Sequence, residues 1–273
     1  MRIFGRIVFL LIAAVMLFPA YWMLMGSFQD VKGMMRIPPS LIPRGLTLYN
    51  YRWVLRDNMV WRWALNTVML AVGVIAVVLV ITTLAGYGFA AFEFPGKRLI
   101  FGALLLGLFV HRYMLLIPQF VMVSKLGIGG TLYAAAWPLL YYPIGVYLFR
   151  NYLQSVSSEI MDAARIDGCG HLRLLGSVLV PLCGPIIALI VMSKGLETIG
   201  DYLWQMLALQ PVESRTWIVG LIAKTREGAY LQGLNPIGQG LAVGVLIGIP
   251  MLGMYLATAK MFVGGINVGG VKS

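Results

Sequence analysis

Apolar runs long enough to cross a bilayer alternate with short polar stretches along this chain. Uncharged runs extend from Ile7 to Gln29, Trp63 to Phe92, Leu126 to Phe149 and Gly228 to Ala259. About 20 apolar residues in helical form span the hydrocarbon core, so each run predicts a transmembrane helix. Two more reach that length if one polar interruption is admitted in each. They are Leu99 to Ser124, broken by His111 and Arg112, and roughly Val178 to Leu209, broken by Lys194, Glu197 and Asp201. The pattern therefore predicts an all-α polytopic membrane protein with six transmembrane helices. Composition agrees: 60% of the 273 residues are hydrophobic and 11% are charged, against about 45–50% and 25% in soluble domains.

The first run follows Arg2 and Arg6, where a secretory signal would lie. A signal's apolar region is only about 7–15 residues long and ends in a small-residue cleavage site. Here the run continues through Pro19, Trp22 and Met25 to Phe28 without such a site, so it is expected to remain as an uncleaved first helix. The net charge is +11, but the cations do not sort by side. The loop after the first span holds Lys32, Arg36, Arg44, Arg52, Arg56 and Arg62. The opposite side would hold Arg2, Arg6, Lys97, Arg98, Arg150, Arg165, Arg173, Lys260 and Lys272. An excess of Lys and Arg marks cytoplasmic loops, and by that measure both orientations stay open.

Local chemistry is sparse. Cys169 and Cys183 lack metal-ligand spacing, and His111 and His171 are the only histidines, so zinc has little support. Both cysteines are expected to be reduced packing residues. The chain has no glycine-rich phosphate loop and no local signature of a Ser, Cys or His nucleophile. Gly238, Gly240 and Gly244 fall within an apolar span, where small residues serve helix packing. A membrane-embedded enzyme thus lacks a catalytic set. If this chain consumes nucleotide energy, another chain hydrolyses it.

One polar stretch between spans is the most informative. Glu159-Ile-Met-Asp162-Ala-Ala-Arg-Ile-Asp167-Gly168 reads as a short helix and turn outside the bilayer, with paired alanines for close approach. It looks like a docking surface for another protein. With it go Val180-Pro181-Leu182, Asn66-Thr67, Phe92-Glu-Phe-Pro-Gly96, Ile117-Pro118, Pro250 and the glycine-rich tail from Gly264 to Ser273. Together these resemble the inner-membrane permease subunits of bacterial binding-protein-dependent ABC importers, in their maltose-type carbohydrate group, over nearly the whole chain.

The resemblance implies a type I importer permease fold in the bacterial cytoplasmic (inner) membrane, with both termini and the docking loop cytoplasmic. It divides the chain into an N-terminal helix and extracytoplasmic loop (1–61), a core permease domain (62–260) and a tail (261–273). It implies a second homologous permease subunit, two ATPase subunits that bind ATP and Mg, and an extracytoplasmic solute-binding protein. No cofactor is expected on this chain, and no nucleic acid. Glu159, Asp162, Ala163, Ala164, Asp167 and Gly168 would form the ATPase-coupling loop, whose rigid-body movement rocks the helices between inward-open and outward-open states. Gly168 would supply a turn that a β-carbon obstructs, and the acidic residues would pair with the partner or cap helices. The sequence departs from the pattern at Asp162, where glutamate is usual, at Cys169, and at the intramembrane charges.

Those charges have helical spacing. Positions 194, 197 and 201 fall on one face, and each charge at membrane depth costs about 2.5–3.5 kcal/mol on insertion scales. They should face protein or a wet cavity. Lys194 and Glu197 either neutralise each other or line the translocation path with Arg112 opposite; Asp201 is either part of that path or an interfacial polar residue. Arg112, Lys194, Glu197, Asp201 and Tyr202 are the candidate path residues. Tyr113, Tyr141, Tyr142, Tyr202 and Trp204 would offer aromatic faces to a sugar, while Arg112 and Lys194 hint at an anionic solute. Ile37 to Pro43 is expected to be extended, and Tyr51, Trp61 and Trp63 to sit in an aromatic belt. The competing reading is an ion-coupled secondary transporter, with Glu197 and His111 as a relay and no need for a docking loop.

Overall fold

Some of the apolar runs stay straight and others are jointed, two of them at prolines. The computed structural model describes residues 2–34, 42, 45–156, 158–229 and 235–266, with backbone alone at 2–3, 158–159, 165, 227–229 and 260–266. In chain order the helices are α1 (Arg2–Ser27), α2 (Val31–Met34), α3 (Tyr49–Leu55), α4 (Asn58–Ala91), α5 (Lys97–Leu106), α6 (Leu116–Lys125), α7 (Leu132–Ala136), α8 (Pro143–Ser155), α9 (Ser158–Ile166), α10 (His171–Arg173), α11 (Val180–Leu182), α12 (Gly184–Gly200), α13 (Tyr202–Ala208), α14 (Trp217–Ala229) and α15 (Pro236–Ile266). Most of the segment expected to be extended, Ile37 to Pro43, and most of the glycine-rich tail lie outside the described residues, as does the side chain of Glu159.

Among the described residues, three helices are long and apolar enough to cross a membrane unbroken: Phe4–Ser27, Asn58–Ala91 and Pro236–Ala259. The other three expected spans are jointed. Lys97–Phe109 and Arg112–Lys125 meet at 92°, Leu132–Leu140 and Pro143–Ser155 at 48°, and His171–Leu182 and Gly184–Gly200 at 80°. The count is therefore six when each jointed pair is one span. A proline has no N–H to donate and clashes with the carbonyl four residues back. Pro143 opens α8 and Pro185 opens α12, each in the first turn, where no intrahelical donor is needed. Between α10 and α11 the backbone widens into a π-helical stretch, Leu174–Leu179, just before Pro181.

The straight α4 is the central column. Its buried positions Val60, Trp63, Thr67, Leu70, Val74, Val78 and Thr82 recur every three or four residues, the stripe of a helix packed along one side. It packs against α8, α12 and α14, while α15 gathers α1, α3, α12 and α14. Lipid is as apolar as leucine, so close packing and hydrogen bonds, more than water exclusion, hold such helices together. Gly86 shows the closeness: a β-carbon there would lie 2.9 Å from Phe149 Cδ1 and 3.2 Å from the Arg150 amide nitrogen.

Polar side chains tie the N-terminal part of α4 to the loop before α14. Asn66 donates from Nδ2 to the Glu213 and Arg215 carbonyls at 2.8 and 2.9 Å, and Thr67 Oγ1 accepts the Trp217 N–H at 2.7 Å. The Asn66-Thr67 pair thus anchors the loop before α14 to the side of α4. Trp63 is not a belt residue: it is 3% exposed and its indole donates to the Val212 carbonyl at 2.7 Å. Tyr51 is half-buried and shares a 2.6 Å hydrogen bond with Ser27, whereas Trp61 is exposed as a belt residue would be.

Candidate functional site

Helix α9 carries most of the polar stretch expected to dock a partner. Its closing turn is built by Gly168, whose φ of +78° lies in the left-handed region that costs an L-residue roughly 1–2 kcal/mol. Asp167 N–H donates to the Ala163 carbonyl and Cys169 N–H to the Ala164 carbonyl, both at 3.0 Å. The second bond, spanning five residues around a left-handed glycine, is the Schellman arrangement that ends helices. Gly168 is required by this backbone angle and not by crowding, since a β-carbon there would meet open space.

The paired alanines part company. Ala164 is buried in this chain's own core with Leu174, Leu175 and Leu179, whereas Ala163 is exposed. Only Ala163 therefore offers close approach to a partner. Asp162 and Asp167 are exposed beside it. The outward face also carries two isoleucines that sequence reasoning passed over, Ile160 at 41% and Ile166 at 86% exposure. Positions 160, 163 and 166 form a helical stripe in an otherwise polar segment, and that spacing was the available signal.

The intramembrane charges form one cluster. Lys194 Nζ donates to Glu197 Oε2 at 2.7 Å, and Arg112 Nη1 donates to Glu197 Oε1 at 3.0 Å. The second Arg112 nitrogen, Nη2, donates to Asp201 Oδ2. Two cations and two carboxylates cancel. Arg112 comes from the joint of the third span, just before α6, and Asp201 from the junction of α12 and α13. The cluster thus bridges two jointed spans.

Burial divides the four. The side chains of Lys194 and Asp201 are 2% and 3% exposed, those of Arg112 and Glu197 30% and 35%. Asp201 is accordingly a buried ion partner and not an interfacial polar group. Each fully buried ion loses several kcal/mol of hydration, about, which only good pairing repays. Lys194 gains a further neighbour, the Tyr142 ring, 4.7 Å from Nζ, a cation–π geometry. Tyr142 is held in turn by a 2.6 Å bond between its hydroxyl and Ser193 Oγ.

The proposed sugar-binding aromatics separate similarly. Trp204 is 2% exposed with its indole donating to the Ala134 carbonyl at 3.1 Å, so it is a core residue. Tyr142 covers Lys194. Tyr113 and Tyr141 are exposed, and Tyr202 is half-buried at the start of α13. Cys183 is buried, Cys169 half-buried, and both are free thiols. Among the described residues no group of three or more His, Cys, Asp or Glu side chains is placed to hold a metal.

No family profile matches the chain. Individual relatives do. It is 30% identical over 271 residues to the arabinooligosaccharides transport system permease protein AraQ of Halalkalibacterium halodurans, covering 97% of this chain and 94% of that one. It is 29% identical over 242 residues to the maltodextrin transport system permease protein MdxG of Bacillus subtilis, covering 83% and 81%. In structure it superposes, with a TM-score of 0.84 over 96% of this chain and 97% of the other, on a chain from a bacterial ABC transporter involved in the import of the acidic polysaccharide alginate, at 24% identity. With a 30%-identical relative matched over 97% of this chain and jointed apolar spans, the chain belongs to the family of carbohydrate-type ABC transport permeases, as a multi-pass transport subunit of the inner membrane.

Proposed function

We propose that this chain is one of two membrane halves of an ATP-driven importer for a neutral, hydroxyl-rich sugar or oligosaccharide. Its partners are a second homologous permease subunit, two ATPase subunits holding ATP and Mg, and an extracytoplasmic solute-binding protein. Both termini and α9 face the cytoplasm, with 1–61 a peripheral unit and 261–273 a tail on the core permease domain, 62–260. The outward stripe Ile160, Ala163 and Ile166, flanked by Asp162 and Asp167 and closed by Gly168, enters a groove on an ATPase subunit. Glu159 extends that surface. Closure of the ATPases on ATP moves α9 as a rigid body, and the joints of the third, fourth and fifth spans take up the movement.

The observation that carries this reading is the exposed apolar stripe on α9. Ile160 at 41% and Ile166 at 86% exposure, with exposed Ala163 between them, form a contiguous apolar strip beside Asp162 and Asp167, the pattern of an interaction site. For the solute, the charge cluster supports a neutral substrate. Each cation already has a carboxylate, so the half-exposed Arg112–Glu197 pair presents a donor and an acceptor without net charge, suited to hydroxyl groups. Arg112, Lys194, Glu197 and Asp201 then line or support the path, with Tyr202 beside it.

The test is affinity purification of the tagged chain in mild detergent. An ATPase and a second permease should accompany it, and Ile166→Asp, a change on an exposed position that leaves the bundle intact, should release the ATPase while keeping the permease. A chain that purifies alone, yet moves solute along an ion gradient in liposomes, would overturn the proposal in favour of a secondary transporter.

A further inference from the structure

At the end of the bundle that carries α9, a cleft of about 600 Å³ opens between the α4–α5 turn and α8. Glu93, Phe94, Lys97, Arg98, Phe101 and Arg150 are among its lining residues. Three cations face one carboxylate. Lys97 is committed: its Nζ lies 2.7 Å from Glu93 Oε1 and 2.8 Å from the Phe92 carbonyl. Arg98 is exposed, and among the described residues neither Arg98 nor Arg150 has a carboxylate within ion-pair distance. Arg150 is held rigidly, with its guanidinium 4.5 Å from the Phe101 ring centroid, Nε donating to the Phe89 carbonyl at 3.3 Å and Nη1 to Asn151 Oδ1 at 3.4 Å. A guanidinium has five N–H donors, so most of its edge remains for an anion.

Position adds the second half of the argument. Lys97 and Arg98 begin the first turn of Lys97–Phe109, the first half of a jointed candidate span, and the basic end of a span is where lipid headgroups are met. Immediately beyond them Leu99 and Ile100 are 79% and 51% exposed, with Phe94 at 37% on the other side. A soluble phosphate would use only the cations. A molecule with a phosphate and adjoining hydrocarbon chains would use the whole surface, the pairing expected where basic pockets between spanning helices meet anionic headgroups.

We propose that this cleft binds an anionic glycerophospholipid, its phosphate on Arg98 and Arg150 and an acyl chain along Leu99 and Ile100. Lys97 and Glu93 form the wall that keeps the α4–α5 turn in shape.

The experiment is native mass spectrometry of the purified importer complex, titrated with phosphatidylglycerol, phosphatidylcholine and glycerol 3-phosphate. Arg98→Gln with Arg150→Gln should weaken phosphatidylglycerol binding roughly thirtyfold, about fivefold per cation at a membrane surface. Arg98→Lys with Arg150→Lys should retain most of it, and phosphatidylcholine should bind no better than to the glutamine variant. If the double glutamine variant does not assemble, Arg98→Gln alone, at an exposed position, should still show about a fivefold loss. Equal phosphatidylglycerol binding by wild type and variants would overturn the proposal. So would glycerol 3-phosphate binding as tightly as the lipid, which would assign the cleft to a soluble phosphate. Loss of the ATPase subunit with lipid binding unchanged would assign it to a protein interface instead.

Discussion

The indole N–H of Trp217 donates to the Leu246 carbonyl at 2.9 Å, the acceptor that Pro250, four residues on, leaves without its helical partner. Pro250 lies inside α15, and a proline there removes one backbone bond. A tryptophan from α14 supplies a donor in its place, and α15 passes its proline unbroken.

That pairing predicts a coupled stability effect. Trp217→Phe should destabilise the wild type by about 1 kcal/mol through the lost bond, beyond any packing loss. In a Pro250→Ala background, where residue 250 supplies its own N–H, the same change should cost correspondingly less. A double-mutant cycle on unfolding in mixed micelles measures the difference. Equal costs in both backgrounds would show that the indole contributes only by packing.

Removing one member of the charge cluster should be worse than removing a pair. Arg112→Gln leaves Asp201, 3% exposed, without its cation, and breaking a buried pair typically costs about 3–5 kcal/mol. Arg112→Gln with Asp201→Asn should recover part of the loss in complex yield and melting temperature. Because the cluster is neutral, Arg112→Gln should reduce uptake of neutral and acidic oligosaccharides alike. Selective loss of acidic solutes would overturn the neutral-solute reading and assign Arg112 to recognition of an anion.

Asp57 gives a pH prediction outside the membrane. A hydrogen bond from Lys224, then one from the Met59 N–H, holds its carboxyl below the ordinary 3.8. A depressed folded value means the stabilisation is complete above the unfolded value and is lost as pH falls from about 3.8 through the lower folded one. The ion pair is partly exposed, so the change is small. Asp57→Asn, which still caps α4, should lower the melting temperature slightly at neutral pH and converge with the wild type at acid pH, which flattens the acid limb of the profile. Asp57→Ala should lower stability at all pH values by about 1 kcal/mol, because the cap on Met59 is also lost.

The turn after α9 should tolerate asparagine better than alanine. At φ +78° an alanine is strained by about 1 kcal/mol or more, whereas asparagine visits this region more readily. In a reconstituted complex, ATPase stimulation by loaded binding protein should follow the order Gly168, Asn, Ala. An alanine variant with full stimulation would show that the turn is not needed for coupling.

Much of this was legible in the chain because membrane spans and a polar loop are local patterns. Uncharged runs located α1, α4 and α15, and the 194–197–201 spacing placed three charges on one face. Partners far apart in sequence left no such trace. Arg112 meets Glu197 and Asp201 across 85 and 89 residues, and Trp63 was misread as a belt residue because its acceptor, Val212, lies 149 residues away. The splitting of Ala163 from Ala164 was equally hidden, since two adjacent alanines are identical until a helix axis is fixed. Two of the joints lie at prolines, Pro143 and Pro185, but the sharpest, between Phe109 and Arg112, has none, and α1 passes Pro19 unbroken, so proline positions alone did not reveal which spans are jointed.

The cancelling charges of Arg112, Lys194, Glu197 and Asp201 also constrain how this protein can change over generations. Loss of Arg112 orphans Asp201, and loss of Glu197 orphans Lys194, in a medium that punishes lone ions. Substitutions at these positions should therefore be inherited together, as a block joining two distant stretches of the gene. A lineage that lost the arginine would have to neutralise an acid nearly ninety codons downstream, and that correlated trace would outlast any similarity between the helices that carry it.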